Sequence, residues 1–317
     1  MIYPDRPALV LAPMEGITDA PMRAFVGSWG AFTYGVSEFQ RVSGMALSAK
    51  AFRREAPEVL TGGKTPTGMP VQVQILGGDP ERMAQSARAA VAAGAWGIDL
   101  NFGCPAPTVN RHDGGATLLK HPERLEAIVR AVVDAVDVPV SAKLRLGWDD
   151  PDAIDENAAR AVAGGAAWIT IHARTRNQGY RPPVFWERIG RVRAAVGVPV
   201  VANGDIWTLD DFRRCQDVTG CRHFMLGRGT LANPVLPGEV ARELGLPSHP
   251  YETRWEPLLR GFVEWCDGRE TRTLARLKGW LAMAARHGAF DRFDALKRST
   301  SVAQILEGVG ADVVPAG

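Results

Sequence analysis

Five short stretches hold the side chains best suited to chemistry: "NFGCP" (101–105), "KLR" (143–145), "HAR" (172–174), "NGD" (203–205) and "GRG" (227–229). Cys104 follows the apolar run "AWGIDL" and could be a packing residue, a metal ligand, half of a disulfide or a reactive thiol. The cysteines are Cys104, Cys215, Cys221 and Cys266, and no two stand in C-x-x-C spacing. That excludes a disulfide scaffold and a structural zinc site, so no metal is expected and Cys104 reads as a free thiol. Strand alternation puts Lys143 and Arg145 on one side. The Asn203-Gly204-Asp205 and Gly227-Arg228-Gly229 turns set small residues and backbone N–H groups before helical starts, the construction of an anion site, and Arg228 adds a charge-assisted donor. A phosphate held there would lay a planar ring between Lys143 and His172 on one side and Gln74 with the Pro13-Met14-Glu15 backbone on the other. Flavin mononucleotide (FMN) meets that description. Pyridoxal phosphate or a Schiff-base lysine also meets it, and the residues alone leave the choice open.

These stretches need elements to position them. At 317 residues, 46% hydrophobic and 23% charged, the chain is ordinary globular protein. Eight strand-like runs alternate with helical ones: 8–13, 32–37, 70–76, 96–102, 139–146, 167–173, 198–204 and 222–228. This predicts an α/β fold, a (β/α)₈ TIM barrel, with its chemistry at the C-terminal strand ends. A doubly wound sheet would want G-x-G-x-x-G after the first strand, and "LAPMEGITD" is not that. From about 250 to 310 the pattern is helical throughout, so the reading divides the chain into a catalytic barrel, 1–242, and an appended all-helical domain, 243–317. The final "ADVVPAG" reads as loose.

The net charge of +2 is too weak by itself to argue for nucleic acid. Residues 242–298, however, carry eleven Lys and Arg against eight Asp and Glu, which makes the appendage the likelier polyanion surface. No apolar run is long enough to span a membrane, and the N-terminus lacks a leader pattern, so a cytoplasmic protein is expected.

"LAPMEGITD" (11–19), "VQILG" (73–77), "DLNFGCPAPTVNRHDGGATLLK" (99–120), "KLRLGW" (143–148), "IHARTRNQGY" (171–180), "VANGDI" (201–206) and "MLGRG" (225–229) resemble, in order, the tRNA-dihydrouridine synthases. With "AWGIDLN" and "ARLKGWL" (275–281), the chain is most similar to the bacterial DusC branch, which acts on uridine 16 of tRNA. Phe102 departs from the usual aliphatic or small polar residue. The resemblance implies bound FMN, NADPH as reductant and a tRNA substrate, with no protein partner and a monomeric state. It implies Cys104 as the catalytic acid. Pro13, Met14, Glu15, Gln74, Lys143, His172, Asn203, Gly204, Asp205, Gly227 and Arg228 are implied as flavin contacts. Asn101 and Arg145 are implied as contacts to the target nucleotide. Tyr180 or Trp148 is expected to stack on the base, and Arg269, Arg272, Arg276, Lys278, Lys297 and Arg298 to hold the tRNA backbone.

The expected reaction adds hydride from flavin N5 to uracil C6 and a proton from Cys104 to C5. Its competitors are an FMN-dependent reductase of a free pyrimidine, a flavin-free Schiff-base lyase and a non-catalytic RNA-binding barrel.

Overall fold

Strict inside-outside alternation along eight parallel strands builds the barrel. The computed structural model describes residues 2–111, 113–266 and 268–310. Its strands are β1 (Ala8–Leu11), β2 (Tyr34–Val36), β3 (Gln40–Arg41), β4 (Val71–Leu76), β5 (Ile98–Phe102), β6 (Val140–Arg145), β7 (Trp168–His172), β8 (Val200–Asn203) and β9 (His223–Leu226). β1 pairs with both β2 and β9, and β2 with β4, so the sheet closes on itself. β3 is a two-residue addition to the end of β4 that the strand pattern did not foreshadow.

Leu9, Val73, Leu100, Ala142, Ile171 and Phe224 point outward into the helix layer and are fully buried there. Phe102 belongs to this layer, so its departure from the family pattern concerns helix packing and not the barrel mouth. The inward residues Val10, Tyr34, Trp168, Val201 and Met225 fill the barrel floor. Above that floor the inward face turns polar on β4, β5 and β6.

Helices start where capping residues supply acceptors. Asp79 accepts from Arg82 N at 2.8 Å before the helix Pro80–Ala93, and Thr208 and Asp211 form a reciprocal capping box before Leu209–Thr219. The C-terminal helices are Trp255–Glu264, Glu270–Arg286, Phe293–Leu296 and Val302–Val309. The continuous helical pattern expected after 290 is broken at 297–301, where Ser301 caps a new helix by accepting from Gln304 N. The "ADVVPAG" tail lies outside the described residues. Phe25 on the barrel meets Phe262 and Trp280 of the appendage, with ring centroids 5.6 and 5.9 Å apart, and Trp280 Nε1 donates to Leu231 O. Barrel helices and appendage therefore share one apolar core.

His223 is the titratable group of the barrel floor most exposed to acid. It is 3% solvent-exposed, and its Nδ1 has no hydrogen-bond partner among the described residues. Burial and then Arg222 bring its imidazole down to about 4. Below the ordinary pKa of ~6.5 the unfolded chain takes up a proton that the folded one refuses, so stability falls as pH falls from about 6.5 towards 4. Replacing His223→Gln is expected to remove about 2 kcal/mol of the loss between pH 7 and 4.5. Urea midpoints at the two pH values check this; equal losses in parent and variant would contradict it.

Candidate active site

The strand register brings the chemistry to one mouth. Asn101 pairs with Lys143, Arg145 with His172, and His172 with Asn203 across successive strands. A cavity of about 340 Å³ opens at these ends, within the range of small-molecule sites. Cys104 lines it, together with every residue expected to contact the flavin, from Pro13 to Arg228. Asn101, Arg145 and Tyr180 line it too.

The remaining expected contacts lie elsewhere. Trp148 is off the cavity, with Lys120 Nζ 3.9 Å and the Arg176 guanidinium 4.4 Å from its ring centroid. Arg272 and Arg276 converge on Asp19 and line a second cavity of about 390 Å³ against the first barrel loop. Lys297 is paired with Asp294 at 2.6 Å. Arg269 and Arg298 are exposed and Lys278 is half-buried. Phe39, Ile17 and Trp207 also line the active-site cavity and were not anticipated. Trp207 follows "NGD" by two residues, so extending that motif into its loop would have found it.

The end of the cavity near β8 and β9 is a glycine-lined cradle that carries Arg228. Gly204 adopts φ 121°, and a Cβ there would lie 2.9 Å from His172 Cδ2. At Gly229 a Cβ would come within 2.2 Å of Ile206 O, so only glycine lets the two loops meet. Asp205, at φ 52°, spends its carboxylate on two arginines: a two-pronged pair with fully buried Arg174, and Arg228 Nη2 at 3.2 Å. Asp205 thus orients the cradle more than it faces a ligand. Arg228 sits 4.4 Å from the Tyr180 ring centroid and 4.9 Å from that of Trp207, which stacks in turn on His287 of the appendage.

Arg145 donates to Gly103 O, Thr175 O and Gly179 O, tying the β5 and β7 loops together. Lys143 Nζ donates to Asn203 Oδ1 at 3.3 Å. Burial and neighbouring Arg145 lower Lys143 to about 8 against the attraction of Asp99. Burial, then Arg145, Lys143, Arg174 and Arg228, hold His172 well below its usual value, so its ring is neutral at pH 7. Burial raises the Cys104 thiol, which therefore stays protonated at neutral pH. The site can bind an anion, hold a polar planar ring and donate a proton from sulfur.

These features define a (β/α)₈-barrel enzyme whose mouth holds an arginine-bearing glycine cradle and a protonated thiol. The dihydrouridine synthase (Dus) family model matches residues 10–267, and the chain belongs to that family. It is 42% identical over 97% of its length to the tRNA-dihydrouridine(16) synthase of Cupriavidus necator, 99% of which is covered. It is 44% identical to the protein of the same name from Pseudomonas putida, over 97% of this chain and 98% of that one. Among solved structures it is similar to the old yellow enzyme homologue from Zymomonas mobilis, with TM-score 0.53 and 14% identity, over 82% of this chain and 95% of that one, a likeness of fold. Among the described residues, no helix is long and apolar enough to cross a membrane.

Proposed function

We propose that the chain reduces uridine 16 of tRNA to 5,6-dihydrouridine, with FMN in the cavity and NADPH as reductant. The observation that carries this reading is one cavity with a protonated thiol, Cys104, on one wall and the Arg228 cradle at one end. The names of the Cupriavidus and Pseudomonas relatives support the uridine position.

The residues present suit FMN. Arg228 and the backbone N–H groups that open the short helix Arg228–Ala232 would hold its phosphate. Lys143, Gln74 and Asn203 would meet the polar edges of its ring, with neutral His172 beside them. The chemistry a reduced flavin supplies when bound is a hydride from N5 to uracil C6. Negative charge then grows towards C5 and O4. Cys104 holds the proton that C5 needs, and Asn101 and Arg145 orient the base on the thiol's side of the cavity. Tyr180, 56% exposed at the rim, offers a ring face to the extruded uracil. We assign the tRNA backbone to the helical segment 243–317 and the chemistry to residues 1–242, supported by the surplus of basic residues in 242–298.

The test is a positional map of dihydrouridine. Purified protein, NADPH and tRNA lacking the modification are combined and each uridine is read. Dihydrouridine confined to position 16 is expected. Another position would overturn the specificity, and turnover of free uracil without tRNA would favour a small-pyrimidine reductase.

A further inference from the structure

Beneath the cavity lies a chain of buried hydrogen bonds, built from β4, β5 and β6, in which Asp99, Ser141 and Gln72 have no place in the reaction above. Asp99 is 2% exposed and accepts from Ser141 Oγ at 2.5 Å and from Gln74 Nε2 at 2.6 Å. Gln74 Oε1 accepts from Asn101 Nδ2 at 2.8 Å. Asn101 Oδ1 in turn accepts from the backbone N–H groups of Gly103 and Cys104, at 2.9 and 3.0 Å. At its other end Ser141 Oγ accepts from Gln72 Nε2 at 3.0 Å, which commits the single hydroxyl hydrogen to Asp99.

The order of donors and acceptors along this chain is not free. An ionised carboxylate only accepts. Gln74 must therefore turn its NH₂ towards Asp99 and its oxygen towards Asn101. Asn101 must then give its NH₂ to Gln74 and keep its oxygen for the two backbone amides. Each amide has two faces of nearly the same shape, so packing alone would not choose between them; the carboxylate at one end and the two backbone N–H donors at the other choose together.

We propose that Asp99 is a positioning residue for Cys104, setting the direction of a hydrogen-bond relay through Gln74 and Asn101 that pins the loop carrying the thiol. Its importance to catalysis rests on the function proposed above, but the relay itself is tested without measuring turnover. In Asp99→Asn an NH₂ replaces an acceptor oxygen. When that NH₂ faces Gln74, the relay reverses, and Asn101 presents its own NH₂ to the amides of Gly103 and Cys104. The loop loses two bonds and the thiol is freed.

The readout is the rate of iodoacetamide modification at Cys104 in the full-length protein, followed by peptide mass spectrometry so that Cys215, Cys221 and Cys266 are scored separately. Asp99→Asn is expected to react about fivefold faster than the parent. Asp99→Asn combined with Gln74→Glu moves the carboxylate one step along and restores the acceptor facing Asn101, so it is expected to return to within about twofold of the parent. Ser141→Ala disturbs the same cluster but leaves the carboxylate, and should stay within about twofold as well. An unchanged rate in Asp99→Asn, no rescue in the double variant, or an equal acceleration in Ser141→Ala would each overturn the proposal. A protein that passes these tests yet makes no dihydrouridine would sink the proposed function and leave the relay standing.

Discussion

Replacing Cys104→Ala is expected to leave flavin binding and NADPH oxidation intact while slowing the reduction of tRNA by about 10²–10⁴, the usual contribution of a placed general acid. The thiol holds a proton on the cavity wall at neutral pH. His172 is neutral and deeply depressed, and Lys143 is engaged with Asn203. Burial raises the thiol above its ordinary pKa of ~8.5, so the acid form persists through neutral pH. The rate of the parent should fall only as pH rises through that elevated value, and the alanine variant should lack this limb. Single-turnover oxidation of the reduced flavin by unmodified tRNA separates the steps. A variant that reduces tRNA at near-parental speed would remove Cys104 from its role.

Asp205→Ala should damage both the fold and cofactor retention. Its carboxylate compensates Arg174, whose side chain is 0% exposed, and also fixes Arg228. Removing one partner of a buried pair leaves an uncompensated charge, a cost of about 3–5 kcal/mol. Adding Arg174→Met is expected to recover much of that stability without recovering flavin retention, because Arg228 would still lack the carboxylate that orients it. Urea denaturation and flavin retained through gel filtration measure the two effects. A single variant as stable as the parent would show that Arg174 finds other compensation, and full flavin retention in the double variant would show that Arg228 needs no clamp.

The barrel was legible because its signals are local. Alternation along "VQVQIL", "IDLNF" and "VSAKLR" tells which side chains turn inward, and strand ends define the mouth of any such barrel. The two glycine turns that flank Arg228 were legible for the same reason, since glycines and a basic residue in two turns carry their own backbone consequence. β3 and the break at 297–301 were not, because two residues make no periodicity and the broken segment keeps a helical composition.

The sequence alone determined which strand ends carry polar groups to the cavity, though not that Ile17, Phe39 and Trp207 line it too. Only the tertiary structure decided what those groups are free to do. Asp205 is spent on Arg174 and Arg228, and Arg145 on three loop carbonyls, while the Trp148 ring lies off the cavity beside Lys120 and Arg176. Arg276, read as a hand for the tRNA backbone, instead grips Asp19, more than 250 positions away. Such pairings join residues far apart in the chain and depend on barrel closure and on how the appendage docks, which no local period encodes. The direction of the Asp99 relay is of this kind too, because the proton inventory of three neighbouring strands must be satisfied together.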